Sequence, residues 1–375
     1  MLDYPDTQTE KPAAGHEAAR DIRAFLKAHP ELAQRYKNAR RVQRIAKHDR
    51  TVEITNRCNL FCEGCYFFEG DGSALQREED ETSKWEELFK QFAAEGVKHV
   101  NLAGAEPTLH IERIELAHKY VPYGLIYTNG TIKLPKHIPY AIHVSVWGDA
   151  DVTATLRGGN HLERSIRHYS GDPRATFIYT VSRQNIDTIR PIVERFHEEN
   201  IRVSFNFFSP TETYNKKLDE KRGNDNRFFR ISTEENNMRL QSEDFPRVRE
   251  IIEELKAEYP ETVVMPRLYL NKATQEGPLY TLNEDGVALN CGGSNASPWF
   301  QLYGTDAQKN PNKCCTPNVD CSTCRLYPSA KATLMFDFES ALQSRDAFED
   351  WLDLVECWNK LMMFDHDGAE TVAAE

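Results

Sequence analysis

The amino-acid sequence predicts an α/β fold in which parallel strands are joined by helices. Between Thr51 and Phe208, short β-branched and apolar segments alternate with longer segments whose apolar residues recur at helical intervals. This alternation is typical of parallel strands with crossover helices. A cluster of three cysteines follows the first strand directly. Because parallel barrels bind ligands at the carboxyl ends of their strands, these cysteines lie where a site is expected.

Six strands are expected in this region, at Thr51–Thr55, Val97–Leu102, Leu125–Tyr127, Ala141–Val146, Ala175–Val181 and Arg202–Phe208. Between them, helices are predicted to begin at an N-cap on Thr82 or Ser83 and to span His110–Tyr120, His161–Tyr169 and Ile186–Glu199. Downstream, the pattern predicts helices at Pro246–Glu258 and Trp351–Phe364 and a strand at Val263–Leu270.

The composition is that of an ordinary soluble protein, with 40% hydrophobic and 28% charged residues in 375. Its 46 basic and 58 acidic residues give a net charge of −12, which argues against a general nucleic-acid binder. No apolar run approaches the roughly 18 residues that a membrane span requires, and no apolar signal segment begins the chain. A cytoplasmic location is expected, with neither nucleic acid nor membrane as a partner.

Nine cysteines in a chain without a secretion signal indicate metal binding rather than disulfides. Cys58, Cys62 and Cys65 form the first group. Thiolates of this kind select iron–sulfur clusters, zinc or copper(I). A closed structural site needs four protein ligands, so three local thiolates leave a position for another ligand. The alternative is half of a zinc site that distant residues complete.

The spacing C-x3-C-x2-C of the first group resembles the signature of the radical S-adenosylmethionine (SAM) enzymes. In that family three cysteines hold a [4Fe–4S] cluster, and the amino and carboxylate groups of SAM chelate its fourth iron. One electron from the reduced cluster cleaves SAM to a 5′-deoxyadenosyl radical, which abstracts hydrogen from the substrate. The resemblance covers about Arg50 to Pro210, and it implies a partial (β/α)6 TIM-type barrel.

A second motif, Gly104-Ala105-Glu106-Pro107, follows the second strand and resembles the Gly-Gly-Glu-Pro motif of the family. The family's segment receives the SAM amino group through backbone carbonyls and the acid. Small residues permit close approach of the backbone, and a carboxylate suits an ammonium group. Ala105 replaces the second glycine, which matters only if the backbone needs a positive φ there. An ordinary strand-to-helix turn is the alternative.

Further cofactor contacts are expected at other strand ends. Asn129 lies in a Thr-Asn-Gly turn that resembles one frequent in the family, and a plain Asn-Gly turn is the alternative. Ser145 ends the fourth strand, where relatives contact the SAM ribose or carboxylate. Arg183 follows the fifth strand, where a guanidinium could pair with that carboxylate. Tyr66 or Phe67 is the candidate for stacking on adenine.

The second cysteine group follows a hairpin-turn signal, Asn283-Glu284-Asp285-Gly286. A cysteine after a hairpin, a long gap and a C-x2-C pair resemble the twitch accessory domain, which holds one auxiliary [4Fe–4S] cluster. A zinc ribbon is the alternative. The expected ligands are Cys291, Cys321, Cys324 and one of the adjacent pair Cys314 and Cys315, with Cys314 taken as the ligand. Adjacent residues of an extended segment point to opposite faces, so both rarely bind one cluster.

Cys357 stands apart from both groups, on a helix with a continuous apolar face. A buried and inert thiol is the expected interpretation. The alternative is a hydrogen-atom donor to a substrate radical, a role that Cys315 could also fill.

Four parts are expected along the chain. They are an N-terminal helical segment (1–49), a radical SAM barrel (50–265), a twitch-like domain (266–345), and a C-terminal helix with its tail (346–375). Residues 211–245 interrupt the barrel pattern, either as a solvated surface insertion or as a lid over an anionic or polar substrate.

The expected function is reductive cleavage of SAM and abstraction of hydrogen from a small polar substrate, which the auxiliary cluster helps to oxidise. Such an enzyme would be an oxidoreductase of natural-product or cofactor biosynthesis. The short helical N-terminal segment does not resemble a peptide-capture module, which favours a small molecule. Flavodoxin or ferredoxin is the expected electron donor. The alternatives are redox-neutral epimerisation or carbon–carbon bond formation, including on a peptide, and a zinc-binding scaffold.

Overall fold

The computed structural model describes residues 21–68, 78–293, 302–303 and 319–364. Its centre is a parallel sheet in which strands that follow one another in sequence also lie side by side, in the order β6-β5-β4-β3-β2-β1. These strands are Asp49–Glu53, His99–Ala103, Tyr123–Thr128, Ala141–Val146, Ala175–Val181 and Arg202–Phe207, numbered β1 to β6 in chain order. The expected α/β class and the six-stranded partial barrel are confirmed.

Helices cover the outer face of this sheet and continue beyond it. Those of the barrel are Thr82–Ala94, Ile111–Tyr120, Ala150–Arg157, Leu162–Tyr169 and Ile189–Glu198. Those that follow are Glu212–Asp219, Asp244–Glu258, Arg267–Ala273, Tyr327–Met335, Phe338–Ala341 and Arg345–Met362. Short 3-10 turns lie at Pro30–Leu32, Pro107–Leu109 and Ile186–Thr188, and Ala33–Ala46 forms a helix before β1.

Two expectations about single elements are wrong, and one strand was not predicted. Val263–Leu270 is not a strand: Val263 makes one bridge to Val203, and a helix then begins at Arg267. Pro266 fixes an extended backbone before that helix, whose buried residues recur at helical spacing. The N-cap of Thr82–Ala94 is Glu81, because its backbone already leaves the helical region there. A seventh strand, Leu302–Tyr303, pairs with β1 in parallel and was not expected.

The C-terminal helix, Arg345–Met362, closes the amino-terminal end of the barrel. His99 in β2 and His143 in β4 each donate through Nε2 to a carbonyl of its last turn, at Met362 (2.8 Å) and Leu361 (2.9 Å). The helix Ala33–Ala46 packs against its other face in a second hydrophobic core. Because this end is sealed, ligands reach the barrel interior from the carboxyl ends of the strands.

The insertion at 211–245 is part of the folded structure. Its apolar side chains form a small separate core with Leu156 of the helix Ala150–Arg157 and with Phe208 after β6. The members from the insertion are Tyr214, Leu218, Phe229 and Met238. Across the described ranges, no helix combines the length and apolar character that spanning a membrane requires.

Candidate active site

A cavity of about 340 Å³ lies inside the barrel at the carboxyl ends of the strands. Alternate residues of the strands and their extensions face it, because successive side chains of a strand point to opposite faces. These inward residues are Thr51, Glu53, Asn101, Ala103, Tyr127, His143, Ser145, Ile178, Thr180, Asn206 and Phe208. The rim comes from the cysteine loop, the Gly104 segment, Thr128, Asn129, Trp147, Arg157, Ser209 and Leu326 to Pro328.

The first cysteine group opens onto this cavity. Cys58, Cys62 and Cys65 all line it and are each partly buried. Burial raises the pKa of the Cys58 and Cys65 thiols above the ordinary value, and the neighbouring thiols add to the effect. Thiolates without a partner are therefore unfavourable here, and a cationic metal centre would provide the positive charge that stabilises them.

The cysteine loop is held from outside the barrel by backbone hydrogen bonds. Phe61 N donates to Arg157 O at 3.3 Å, and Glu63 N donates to Leu156 O at 2.7 Å. Both acceptors lie at the carboxyl end of the helix Ala150–Arg157, whose last carbonyls have no partner within the helix. The sequence did not predict this helix, so it did not predict this support.

The insertion holds the same loop through a buried carboxylate. Glu63 is fully buried between Cys62 and Gly64. Its oxygens accept from the backbone N–H groups of Arg230 (2.8 Å), Ile231 (3.3 Å) and Ser232 (3.0 Å). Gly64 N donates to Phe228 O at 2.8 Å. The insertion is thus a clamp on the cysteine loop, and we call residues 226–232 the clamp segment.

Gly104 sits where the strand β2 passes close to the backbone that follows β1. Its φ is +139°, and a Cβ added there would lie 2.5 Å from Thr55 O. Only glycine fits that conformation and that approach. Ala105 has no positive φ, and its N–H donates to Thr55 O at 3.0 Å. The alanine that replaces the family's second glycine is therefore compatible with the local backbone.

Glu106 lines the cavity, but the protein itself occupies most of its carboxylate. Oε1 accepts from Thr108 N (3.1 Å), Thr108 Oγ1 (2.5 Å) and Thr128 Oγ1 (2.7 Å), and Oε2 accepts from Asn129 N (2.7 Å). These bonds tie the end of β2 to the end of β3. Pro107 is buried and starts the 3-10 turn rather than lining the cavity.

The Asn129 turn connects to the cysteine loop. Asn129 Nδ2 donates to Asn59 Oδ1 at 2.7 Å, and Asn59 Nδ2 donates to Thr131 Oγ1 at 2.8 Å. Asn129 Oδ1 accepts from Thr131 N at 2.9 Å, and Gly130 takes a φ of +78°. Asn129 is therefore more than a plain turn residue, because it fixes the loop that carries the cysteines.

Arg157, rather than Arg183, is the arginine at the cavity. Arg157 is buried, its Nε lies 3.5 Å from Cys62 Sγ, and its Nη1 donates to Ser145 O. The structure does not bring Arg183 to the cavity, because its half-exposed guanidinium lies 3.5 Å from Glu243 and outside the cavity lining. Its backbone follows β5 as predicted, but the side chain turns outward toward the insertion.

The two aromatic candidates both reach the cavity. Tyr66 lies at the mouth with 39% of its surface exposed, and Phe67 is buried beside it with ring centroids 6.3 Å apart. Phe68, which was not a candidate, stacks on Phe228 of the clamp segment at 4.9 Å. Ser145 lines the cavity from β4 as expected.

Three members of the second cysteine group lie in the described residues, and Cys314 and Cys315 lie outside them. Cys291 and Cys324 are buried, and Cys321 is partly buried. The expected turn precedes Cys291, with Asn283 Oδ1 accepting from Val287 N at 2.8 Å and a bridge between Leu282 and Ala288. In the part of the chain that is described, no three ligating side chains close on a single metal ion.

Cys357 faces away from the cavity. It is buried on the C-terminal helix within the second hydrophobic core, and its Sγ lies 3.9 Å from Val264 O. Burial raises the pKa of its thiol. The thiol is not part of the cavity lining, so its position favours the expected packed and inert thiol over a hydrogen-atom donor.

Sequence reasoning missed Glu53, Glu63 and Arg157. The sequence does carry a signal for Glu53 as an inward-facing residue. Glu53 alternates with Thr51 along the first strand, whose central residues are apolar or β-branched. Glu63 and Arg157 carried no signal, since their partners lie far away in sequence.

A family model described as the Radical SAM superfamily matches residues 52–266. The match covers more than half of the 375 residues, and the chain belongs to this superfamily. It is a radical SAM enzyme, and the family implies a [4Fe–4S] cluster and SAM as its cofactors.

Among curated proteins, the PqqA peptide cyclase of Rhizobium meliloti (strain 1021) is 36% identical over 80 residues, or 21% of this chain. The match spans 20% of that relative's length. Among solved structures, Streptococcus suis SuiB bound to precursor peptide SuiA has a TM-score of 0.44 at 16% identity. The match covers 63% of this chain and 54% of the SuiB chain. Native anSMEcpe with bound AdoMet has a TM-score of 0.49 at 13% identity, over 84% and 87% of the two chains.

Proposed function

We propose that Cys58, Cys62 and Cys65 hold the SAM-binding cluster and that the barrel cavity holds SAM and the substrate beside it. When bound, the cluster supplies the electron that splits SAM into methionine and a 5′-deoxyadenosyl radical, which abstracts a hydrogen atom. One observation carries the proposal. The three cysteines, the Gly104–Glu106 segment and the inward faces of the strands line one continuous cavity.

The residues around the cysteines divide the task of holding SAM. Gly104 and Ala105 bring backbone close to the cavity, where carbonyls can accept from the SAM amino group. Glu106 Oε2 accepts one protein hydrogen bond and keeps capacity for another donor. Arg157 provides the cation for the SAM carboxylate, beside Cys62. Tyr66 or Phe67 offers the ring for adenine.

The second cysteine group supports an auxiliary [4Fe–4S] cluster held by Cys291, Cys321 and Cys324, with Cys314 as the fourth ligand. One buried donor beside these cysteines, Arg325 Nη1, has no hydrogen-bond partner among the described residues. The Cys324 thiolate would be the main negative charge acting on this guanidinium. An orphaned donor beside a thiolate fits the sulfurs of a cluster, which accept hydrogen bonds.

A small polar substrate fits the cavity best. Its volume of about 340 Å³ must contain the reacting part of the substrate together with SAM. The inward faces of β1, β2, β4 and β5 carry polar side chains that can orient such a group. The auxiliary cluster would accept the second electron, so that hydrogen abstraction becomes a two-electron oxidation, with flavodoxin or ferredoxin as the donor of the first electron.

Modification of a peptide is the second candidate. It is favoured by the 80-residue match to a protein named PqqA peptide cyclase. A peptide would place one side chain in the cavity and leave the rest at the mouth near Tyr66, the exposed part of the lining.

The test begins with the full chain reconstituted anaerobically with iron and sulfide. We expect about eight iron atoms per chain for two cubane clusters, and about four in a variant with Cys321→Ala and Cys324→Ala. With dithionite and SAM, both proteins should form 5′-deoxyadenosine. Zinc without iron in the purified protein would instead favour the scaffold alternative.

The substrate class follows from deuterium transfer. The enzyme is incubated with SAM and with the low-molecular-mass or the peptide fraction of a deuterated cell extract. Transfer of deuterium to 5′-deoxyadenosine from the low-molecular-mass fraction supports a small-molecule substrate. Transfer from the peptide fraction supports a peptide substrate. An oxidised product in equal amount to 5′-deoxyadenosine supports oxidation, whereas an unchanged oxidation state contradicts it.

A further inference from the structure

Two side chains with hydrogen-bond acceptors face the barrel interior without a partner for those acceptors among the described residues. Glu53 ends β1 and Asn101 lies in β2, and both line the cavity. Burial alone perturbs the Glu53 carboxyl, and no charged group or donor of the described residues compensates it. Asn101 is 1% exposed, and its Oδ1 has no hydrogen-bond partner in the described part of the chain. Acceptors that are buried, as in Asn101, or partly buried, as in Glu53, are costly unless a ligand supplies the donors.

The orientation of the Asn101 amide is fixed by its neighbours. Nδ2 donates to Asp49 Oδ2 at 2.5 Å and lies 3.4 Å from Thr51 Oγ1. A flipped amide would place Oδ1 against the Asp49 carboxylate, which in its ionised form can only accept. Oδ1 is therefore the atom that lacks a partner.

The strand register brings the two acceptors together. Thr51 pairs with Asn101 and Glu53 pairs with Ala103, so that Glu53 and Asn101 are diagonal neighbours on the inward face. Adjacent strands lie about 4.8 Å apart and alternate residues of a strand about 6.6 Å, a diagonal that a glutamate side chain can span. The small Ala103 leaves space in front of the Glu53 carboxyl.

The other charged groups of the lining are already engaged. Glu106 accepts four protein hydrogen bonds, and Arg157 lies beside Cys62, where the proposed function assigns it to the SAM carboxylate. His143 is neutral, because burial lowers its pKa to about 3. Within the described part of the lining, Glu53 is therefore the carboxylate that has neither a hydrogen-bond donor nor a cation.

We propose that Glu53 and Asn101 bind a protonated amine of the substrate, an inference that rests on the proposed function. An ammonium group donates up to three hydrogen bonds and accepts none, which matches two groups that can only accept. The amine belongs either to a small molecule or to the side chain of a peptide.

Burial raises the pKa of Glu53 to about 7. An ammonium partner would favour the ionised carboxylate and lower that pKa again. The subsite is therefore selective for a cation at pH 8, where the carboxylate is ionised even before the ligand binds.

The experiment uses the full-length, cluster-reconstituted protein with saturating SAM and follows ligand binding by ligand-observed NMR at pH 8. n-Propylammonium and its neutral counterpart n-propanol represent a small molecule. An end-blocked Ala-Lys-Ala tripeptide and its norleucine counterpart represent a peptide. The variants are Glu53→Gln, Asn101→Ala and, as the control, Glu87→Gln, whose residue is exposed on the helix Thr82–Ala94.

We expect at least one amine to bind about tenfold more tightly than its neutral counterpart, as a charge-assisted hydrogen bond predicts. This preference should disappear in Glu53→Gln, weaken in Asn101→Ala and persist in Glu87→Gln. The pair that shows it identifies the source of the amine. Equal affinity for amine and neutral counterpart, or an unchanged preference in Glu53→Gln, overturns the inference.

Cleavage of SAM with dithionite separates this inference from the proposed function. SAM cleavage by the wild type and by the Glu87→Gln control tests the proposed function alone, because Glu87 is exposed and lies outside the cavity lining. Loss of the amine preference in Glu53→Gln, in a protein whose wild type and control both cleave SAM, supports the subsite. An inactive wild-type protein would defeat the proposed function, whatever amines it binds.

Discussion

Arg157 is the residue whose position most directly links the cysteine loop to the barrel. Replacing it with Met removes the Nε donor near Cys62 Sγ and the Nη1 bond to Ser145 O. Hydrogen bonds to charged groups contribute about 1.5–3 kcal/mol, so SAM should bind roughly 10- to 100-fold more weakly. Equilibrium binding of SAM to the reconstituted protein measures this.

Arg157→Lys separates charge from geometry, because lysine keeps the charge but loses the planar fork. We expect partial recovery of SAM affinity with an altered EPR spectrum of the reduced cluster. Arg164→Met, at an exposed position of the next helix, is the control and should behave as wild type. Unchanged SAM affinity in Arg157→Met would refute the assigned role.

Glu53 makes the stability of the apoprotein depend on pH. Its pKa is raised from 4.5 to about 7, so between these values the folded protein binds more protons than the unfolded chain. Stability should therefore fall as the pH rises from about 4.5 to about 7. Glu53→Gln removes this loss, and at pH 8 the variant should be more stable by about 1–3 kcal/mol.

Thermal unfolding of the apoprotein at pH 5 and pH 8 checks the sign. Glu53→Gln and wild type should differ little at pH 5, and the variant should melt higher at pH 8. Glu87→Gln should follow wild type at both values. A variant that is less stable than wild type at pH 8 would show that the Glu53 carboxylate is stabilised by partners in the protein.

Among the elements of the fold, the clamp segment 226–232 supports the cysteine loop most directly. Glu63 of the loop accepts hydrogen bonds from three consecutive backbone N–H groups of the clamp segment, and Phe228 of the clamp segment stacks on Phe68. In Glu63→Gln the side-chain NH2 would face these donors, and a lost buried acceptor costs about 1–3 kcal/mol. The cysteine loop should loosen and release iron several-fold faster.

Release of iron to a chelator from the oxidised, reconstituted protein measures this loosening. Glu234→Gln is a matched control, because Glu234 lies in the same insertion and pairs with Lys221 in solvent. Its release rate should equal that of wild type. If Glu63→Gln also retains iron normally, the clamp segment does not support the loop.

A second prediction about a single element of the fold concerns the turn at Gly104. Gly104→Ala forces a Cβ to within 2.5 Å of Thr55 O at a φ of +139°, which costs about 1–3 kcal/mol and moves the backbone that lines the cavity. Lower stability and weaker SAM binding should result. Ala105→Gly, one residue further on, should change stability by less than about 1 kcal/mol. Similar effects of both substitutions would contradict the assignment.

At the scale of the whole molecule, the periodic parts of the sequence predicted the fold well. The strands Ala141–Val146 and Ala175–Val181 have the expected bounds, because their apolar runs are buried on both faces. The cysteine loop and Gly104 were predicted as well, since their chemistry depends on local spacing. The helix Arg267–Ala273 was missed because its first turn follows a β-branched run, and Pro266 decides the boundary.

What the sequence could not predict depends on distant contacts. Arg183 follows β5 and Arg157 ends a barrel helix, and only packing decides which guanidinium turns inward. The insertion looked like a solvated surface because its charges are numerous, yet its backbone supports the cysteine loop. Two roles were open for Cys357, and its burial in the second hydrophobic core, outside the cavity lining, favours a packed thiol.

The account depends on one cluster at Cys58, Cys62 and Cys65 that activates SAM. The most direct measurement is formation of 5′-deoxyadenosine by anaerobic, reconstituted protein with dithionite, compared with a variant in which all three cysteines are alanine. Wild type should form the product and the variant none, while the variant keeps iron at the second cysteine group. Product formation by the variant, or none by a wild type that carries its iron, would contradict the account.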